Sequence, residues 1–291
     1  MIEVEDVPEL RDPVMILAFE GWNDAGEAAT GVVEHMADLW DAQPVAVLDP
    51  EDYYDFQVNR PRVYTENGER RIHWRTTRIH VVQHPDLPRD LILVRGVEPS
   101  FRWRAFALEL ISFATEFGAD TMILLGALMA DVAHTRPIPV TSYADDEATV
   151  HRFDLDRASY EGPTGIVGVI AEAAVQAGIT AISSWAAVPH YAGHGASPKA
   201  VLALIETLER LIAVPIDRLD LVEQSQEWEA TITELANEDD EVHEYVEALE
   251  QAQDTAGLPE ASGDAIAKEF ERYLRRHDDD SGGKEPPTAR S

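Results

Sequence analysis

Apolar runs of strand length recur between amphipathic helical stretches along most of this chain, and that alternation constrains its fold more than any other feature. Residues 14–19 (VMILAF) form one such run, followed by Gly21-Trp22-Asn23-Asp24 and a helical pattern over 25–40. Asp24, with Glu27 three residues on, reads as a capping-box-like helix start. A second strand is expected at 45–48. Between 62 and 94 the pattern changes to short β-rich pieces (VYT, RIHW, RIHVVQ, LILV) separated by Asn67-Gly68, Pro85 and Pro88, which predicts hairpins or a meander. The alternation then resumes: helix 103–117, strand 121–125, a long irregular stretch, helix 165–177, strand 180–185 and helix 198–213. Ser197 as N-cap and Pro198 at the first helical position start that last helix. Such alternation implies a mostly parallel sheet covered by helices on both faces, made mixed by the β-rich insert.

The last quarter differs in character. Residues 217–291 hold 22 acids and 7 bases, a net charge of -15. Leu221, Ser225, Trp228, Ile232 and Leu235 follow a 4-3-4-3 spacing, a narrow helical seam. A second short helix carries Val242, Tyr245, Val246 and Leu249, and a third carries Ile266, Phe270, Tyr273 and Leu274. The expected organisation is an α/β/α domain over 1–216, an acidic helical appendage over 217–277, and a tail over 278–291 whose composition favours disorder. The seam can be covered within the chain or by another chain.

Composition removes several function classes. With 55 Asp and Glu against 23 Lys and Arg, the formal charge is -32, which repels nucleic acid phosphates and anionic lipid. The absence of Cys removes disulfides, thiolate metal sites and cysteine nucleophiles. Residues 166–189 approach membrane-span length, but Glu172, Gln176 and Gly178 interrupt them where a helix ends and a strand begins. The first residues have no basic and no apolar signal region, so the expected location is cytoplasmic. Lys occurs only at 199, 268 and 284, leaving little for chemistry that sets several lysines on a nucleotide.

Ligands of open α/β sheets bind outside the carboxyl ends of the strands, so the residues just after each strand are the candidate pocket. They are Trp22, Asn23 and Asp24 after the first strand, and Arg95, Glu98 and Arg102 after LILV. Asp131, His134 and Arg136 follow the 121–125 strand, Glu161, Thr164 and Gly165 precede a helix, and His190 and Lys199 follow the 180–185 strand. Thr164-Gly165 is the best anion candidate, since that helix start has no acid in its first turn. Arg95, Arg102 and Arg136 could clamp a carboxylate or phosphate, although in so acidic a chain each has the simpler reading of surface pairing. Thr164 likewise has the simpler reading of a plain N-cap. His190 and His194 have a metal-like spacing, but Pro189 and the glycines flanking His194 make the segment a loop, so no metal is expected. No serine elbow, G-x-G-x-x-G or Walker A motif occurs, Ser183 and Ser184 lie inside a strand, and no cofactor is implied.

Taken together, FEGWNDAGEAATG (19–31), VRGVEPSFRWRAF (94–106), LLGALMADVAHTRPIPV (124–140), YEGPTGIVGVI (160–170), SWAAVPHY (184–191), SPKA (197–200) and ASGDAIAKEFERYLRR (261–276) resemble the actinobacterial branch of the proteasome assembly chaperone 2 family. The resemblance implies a three-layer α/β/α fold of purine nucleoside phosphorylase type, homo-oligomers, with a trimer expected, and no established catalysis in this branch. Proteasome core subunits are the partners it implies. Members that dock on the core ring often end in a hydrophobic residue, Tyr and one last residue; the ending Thr288-Ala289-Arg290-Ser291 departs from that pattern. Two functions are therefore expected in order: a non-enzymatic assembly factor, and, as the alternative, a small-molecule binder or phosphorylase-like enzyme. In the alternative, Thr164, Gly165 and Arg136 would hold phosphate while Asp24 or His190 would act as the acid.

Overall fold

A computed structural model describes residues 2–4, 7–66, 68–192 and 195–256. The strands are β1 (Ile2–Val4), β2 (Val14–Glu20), β3 (Gln43–Leu48), β4 (Arg62–Glu66), β5 (Glu69–His73), β6 (Arg78–Val82), β7 (Leu91–Val97), β8 (Thr121–Ala130), β9 (Val140–Ala144), β10 (Asp156–Arg157) and β11 (Thr180–Pro189). The helices are α1 (Ala28–Leu39), α2 (Trp103–Glu116), α3 (Glu147–Phe153), α4 (Ile166–Gln176), α5 (Pro198–Ile212), α6 (Leu221–Asn237) and α7 (Asp240–Ala256).

Nine strands make one sheet in the order β1-β3-β6-β7-β2-β8-β11-β9-β10. Its centre, β7-β2-β8-β11, is parallel throughout, and β3, β6 and β9 pair antiparallel on the flanks. Because side chains alternate along a strand, β2 must be apolar at every step to serve two cores. Met15, Leu17 and Phe19 face α2 and α4, meeting Phe106, Leu110, Ile166 and Ile170. Val14, Ile16 and Ala18 face α1 and α5, meeting Val32, Met36, Leu204 and Leu208. The result is the three-layer α/β/α architecture expected from the alternation.

The structure sharpens several sequence expectations. The first helix is broken: Ala25–Glu27 is a 3-10 turn, Gly26 and Glu27 have positive φ, and the α-helix proper starts at Ala28. Asp24 therefore caps across that turn, accepting from the N–H groups of Ala29 at 2.7 Å and Thr30 at 3.2 Å, in place of the expected box with Glu27. The β-rich insert divides, with β6 and β7 joining the main sheet and β4-β5 forming a separate two-stranded hairpin. The stretch expected to be irregular after residue 125 holds the rest of β8, then β9, α3 and β10. Ser197 precedes α5 as expected, but its buried hydroxyl makes no capping bond.

The acidic helices pack within the chain. Leu221 and Ser225 are buried and Trp228 and Ile232 half-buried as α6 lies along α5, but the seam ends on buried Ala236, one step past the expected Leu235, which is 56% exposed. The third expected C-terminal helix and the tail lie outside the described residues. No helix among the described residues is long and apolar enough to cross a membrane.

Candidate functional site

In a sheet built this way a ligand crevice belongs where the strand order reverses. That point is β2, from which the chain runs to β3, β6 and β7 on one side and to β8 and β11 on the other. The protein fills it with its own atoms. Past the end of β2 the chain turns at Gly21 and crosses to β8, where the Ala127 N–H donates to the Asn23 carbonyl at 2.8 Å and Asp24 makes a parallel bridge to Ala127. Asn23 is fully buried, and its Nδ2 donates to Glu98 Oε1 at 2.8 Å. The same Glu98 oxygen accepts the Ile166 N–H at 2.9 Å, at the first residue of α4. Burial raises the Glu98 pKa, and these two hydrogen bonds pull it back only in part.

The expected anion site at Thr164-Gly165 is thus already held by an anion. The first turn of α4 contains no acid, as the sequence says, but the fold delivers one from 68 residues away. Gly165, the N-cap, is packed so tightly that a Cβ there would lie 2.3 Å from Asn23 Oδ1 and 2.9 Å from both Glu98 Oε1 and Trp22 Cε3. Thr164 is exposed and makes no N-cap bond; its hydroxyl lies 3.4 Å from the Gly165 carbonyl. Glu161 is exposed in the preceding loop.

Asp24 is buried, with its carboxylate turned into the start of α1, where Thr30 Oγ1 also donates to it. Burial raises its pKa to about 6 despite those bonds. Every hydrogen bond recorded for this carboxylate belongs to helix capping.

A second group gathers after β8 and β11, and every member is tied to the C-terminal helices or to a neighbour that is. Arg136 forms a two-point pair with Asp254, Nε to Oδ1 at 2.9 Å and Nη2 to Oδ2 at 2.8 Å, and reaches Glu250 at 3.3 Å. This pairing holds the guanidinium well above even its ordinary pKa and lowers that of Asp254. Lys199 donates to Glu229 and to the His134 carbonyl. Asp131 accepts from Tyr245 at 3.1 Å and lies 3.4 Å from His190 Nδ1. The rings of His190, Tyr191 and Tyr245 meet edge to face. Gln253, buried on α7, accepts the Ala133 N–H at 2.6 Å.

His134 sits at the middle of this group. Tyr191 Oη accepts the His134 backbone N–H and lies 2.8 Å from Nδ1, to which its own hydrogen can be donated. Thr233 donates to the Glu229 carbonyl and so accepts from Nε2–H at 2.9 Å. These two contacts suit a neutral ring protonated at Nε2. Burial lowers its pKa, and Lys199 adds to the effect.

Arg95 and Arg102 stand apart from both groups. Arg95 pairs with Glu34 at 3.1 Å and lies 4.0 Å from Glu20, beside a cleft of about 200 Å³ lined also by His73, Arg75, Arg78 and His80. Arg102 pairs with Asp52 and stacks over Tyr53, 5.7 Å from the ring centroid. The simpler reading of these arginines, pairing with the chain's own acids, describes all three. A larger cleft, about 350 Å³ between β9, the segment after α3 and α5, contains none of the fourteen candidate residues. The candidates thus form a plugged crevice at the switch point, a clasp on α6 and α7, and two separate arginines, not one cavity. Tyr245, Glu229, Glu250, Gln253 and Asp254 complete the clasp; in the sequence Tyr245 shows only as part of a helical apolar face, the three acids only as part of the acidity of the last quarter, and Gln253 not at all.

The sequence profile of the PAC2 family matches residues 18–236, spanning β2 to α6. The chain belongs to the PAC2 family. A Streptomyces avermitilis PAC2 family protein is 51% identical with a TM-score of 0.77, covering 81% of this chain and 100% of its own. A Mycobacterium tuberculosis proteasome-assembly chaperone homologue, Rv2125, is 46% identical with a TM-score of 0.73, covering 80% of this chain and 99% of its own. The Pyrococcus furiosus archaeal proteasome activator PbaB has the same fold at 19% identity, with a TM-score of 0.66 over 81% of this chain and 98% of its own. Comparison with curated proteins finds no match. The actinobacterial resemblance in the motifs is thus confirmed at the level of family and fold.

Proposed function

We propose that this PAC2 protein is a non-enzymatic assembly factor whose partners are proteasome core subunits. The observation that carries the reading is the closed crevice: where an α/β/α enzyme would hold its ligand, Glu98 occupies the start of α4, Asp24 the start of α1, and Glu229, Glu250 and Asp254 the nearby cations. A phosphorylase needs a free anion site facing an acid or base. In the scheme expected from sequence, Arg136 and Thr164 would share a phosphate, yet Arg136 is committed to α7 and Thr164 lies beside a helix start already holding a carboxylate. The similarity to a proteasome-assembly chaperone homologue at 46% identity supports the partner class.

Co-expression with the proteasome α and β subunits of the same organism tests this. Co-purification of the chain with free subunits or incomplete rings is the expected result. Failure to associate, together with phosphate-dependent release of base from inosine or adenosine that is lost in Arg136→Ala, would overturn the proposal in favour of the phosphorylase alternative.

A further inference from the structure

No residue of the β4-β5 hairpin belongs to either core. Every residue of both strands is exposed, and the hairpin makes a sheet of its own. A lone two-stranded hairpin is marginal in water, so one that persists gains from a surface to lie against. Its cross-strand pair Val63–Ile72 leaves the two side chains 53% and 57% exposed, and Tyr64 and Trp74 are also open. An exposed apolar cluster of this kind marks an interaction site.

Charge identifies the occupant. Residues 60–78 hold six arginines, Arg60, Arg62, Arg70, Arg71, Arg75 and Arg78, against Glu66 and Glu69, in a chain of net charge -32. Arg71 is shared by those two glutamates and Arg75 by Glu20. Among the described residues, Arg60, Arg62, Arg70 and Arg78 have no carboxylate at ion-pair distance. At the base of the arm Arg78 stands directly opposite Arg95 across β6 and β7, and the buried Nε of Arg95 has no partner. Like charges placed opposite each other on a sheet destabilise it unless an anion lies between or against them.

The complementary surface is on the same chain, and among the described residues no hydrogen bond or ion pair joins it to the arm. Residues 220–256 carry thirteen acids and no Lys or Arg. Glu229, Glu250 and Asp254 are used by Lys199 and Arg136, while Glu238, Asp239, Glu241, Glu244 and Glu247 are exposed beside exposed Leu235. The arm springs from β3 and β6 on one side of β2, whereas α7 is clasped to the loop after β8 on the other. Arm against arm would set six arginines against six. Arm against acidic helices brings opposite charges and apolar surfaces together, and joins two different patches of two molecules. A contact between unlike patches is head to tail, and closes into a ring if its rotation allows.

We infer that the β4-β5 arm of one molecule docks on the acidic α6-α7 surface of a second copy, giving a head-to-tail assembly. This does not depend on the proteasome reading. The test is the mass in solution by light scattering at low and high salt. Wild type is expected to exceed 32.3 kDa and to dissociate more readily as salt screens the contact. Arg62→Glu/Arg70→Glu/Arg71→Glu, on exposed positions outside both cores, should fall to the monomer mass with an unchanged circular dichroism spectrum. Glu238→Lys/Glu241→Lys/Glu244→Lys should do the same, and the two sets combined in one chain should reassociate. A wild-type monomer, an oligomer that survives the arm substitutions, or a combined variant that stays monomeric would each overturn the inference.

Discussion

Glu98 Oε1 accepts the Ile166 N–H at 2.9 Å, so the terminal carboxylate of a strand-end residue closes the start of α4. Two roles can be separated by substitution. In Glu98→Ala, Ile166 N–H and Asn23 Nδ2 both lose their acceptor inside the protein, which should cost about 1–3 kcal/mol for each group left unpaired. Glu98→Gln keeps an acceptor oxygen and removes a charge whose burial is unfavourable, so it should unfold near the wild-type midpoint at pH 7. The empty helix start of Glu98→Ala should also become an anion site: millimolar phosphate should raise its melting temperature and leave wild type unmoved. A phosphate shift of equal size in both proteins would show that Glu98 is not what closes the site.

The same junction predicts the behaviour of Gly165. Its φ of -91° suits any residue, so backbone strain is not at issue. Space is: the methyl of Gly165→Ala would meet Asn23, Glu98 and Trp22 at 2.3–2.9 Å, and two of those groups are held by hydrogen bonds. Overpacking of this kind should destabilise by about 1–3 kcal/mol. Gly178→Ala, where an added Cβ meets nothing within 4 Å but φ is +78°, is the useful contrast, since any loss there is conformational. Denaturant midpoints of the two variants, with Glu98→Ala as a background, should show that only the Gly165→Ala penalty shrinks when Glu98 is removed.

How far these relations could be read from sequence depends on the distance between partners. Strands β2, β7, β8 and β11 and helices α2, α4 and α5 announce themselves because each is an uninterrupted apolar run or a repeating apolar face, signals carried entirely by neighbours in the chain. β9 and α3 do not. β9 is five residues long (VTSYA), half-buried toward the sheet edge, and alternates too little apolar surface to register, while α3 has only seven residues. The pocket expectation rested on a sound rule, that ligands sit past strand ends, and it picked residues that do lie there. What no local pattern contains is that Glu98 reaches α4, or that Glu250 and Asp254 return to Arg136 from 114 and 118 residues away. The excess of acid made pairing of each arginine the simpler reading; it could not name the partners.

The clasp on α7 should be separable from the core. Gln253 is buried and supplies the acceptor for Ala133 N–H, so Gln253→Ala leaves that amide unpaired at a cost of about 1–3 kcal/mol. The loss should be local. Hydrogen exchange is expected to quicken across α7 and the 131–136 loop while β2, β8 and β11 keep their protection. Uniform acceleration over the whole sheet would mean that α7 is part of a single cooperative unit with the core.

Asp24 makes the sharpest prediction about pH. Its carboxyl is buried at the start of α1 and titrates at about 6 in the folded chain, against an ordinary value of 3.8 in the unfolded one. Between those values the native state holds a proton that the unfolded state has released, so this group's contribution to stability is full below pH 4 and is lost as pH rises to about 6. A shift of this size corresponds to roughly 3 kcal/mol by pH 7. Asp24→Asn has no charge to bury and keeps an oxygen for the Ala29 and Thr30 N–H groups, while Thr30 Oγ1 can turn to accept from the new amide. The difference in unfolding free energy between Asp24→Asn and wild type should therefore move in favour of the variant from pH 4 to 7, by on the order of 2–3 kcal/mol, with most of the change falling between the unfolded and folded pKa values. The other carboxylates of this acidic chain cancel in that difference because both proteins carry them. A difference that stays flat with pH would show that Asp24 titrates normally and that its burial carries no charge penalty; a difference that moves against the variant would show the capping bonds outweighing desolvation.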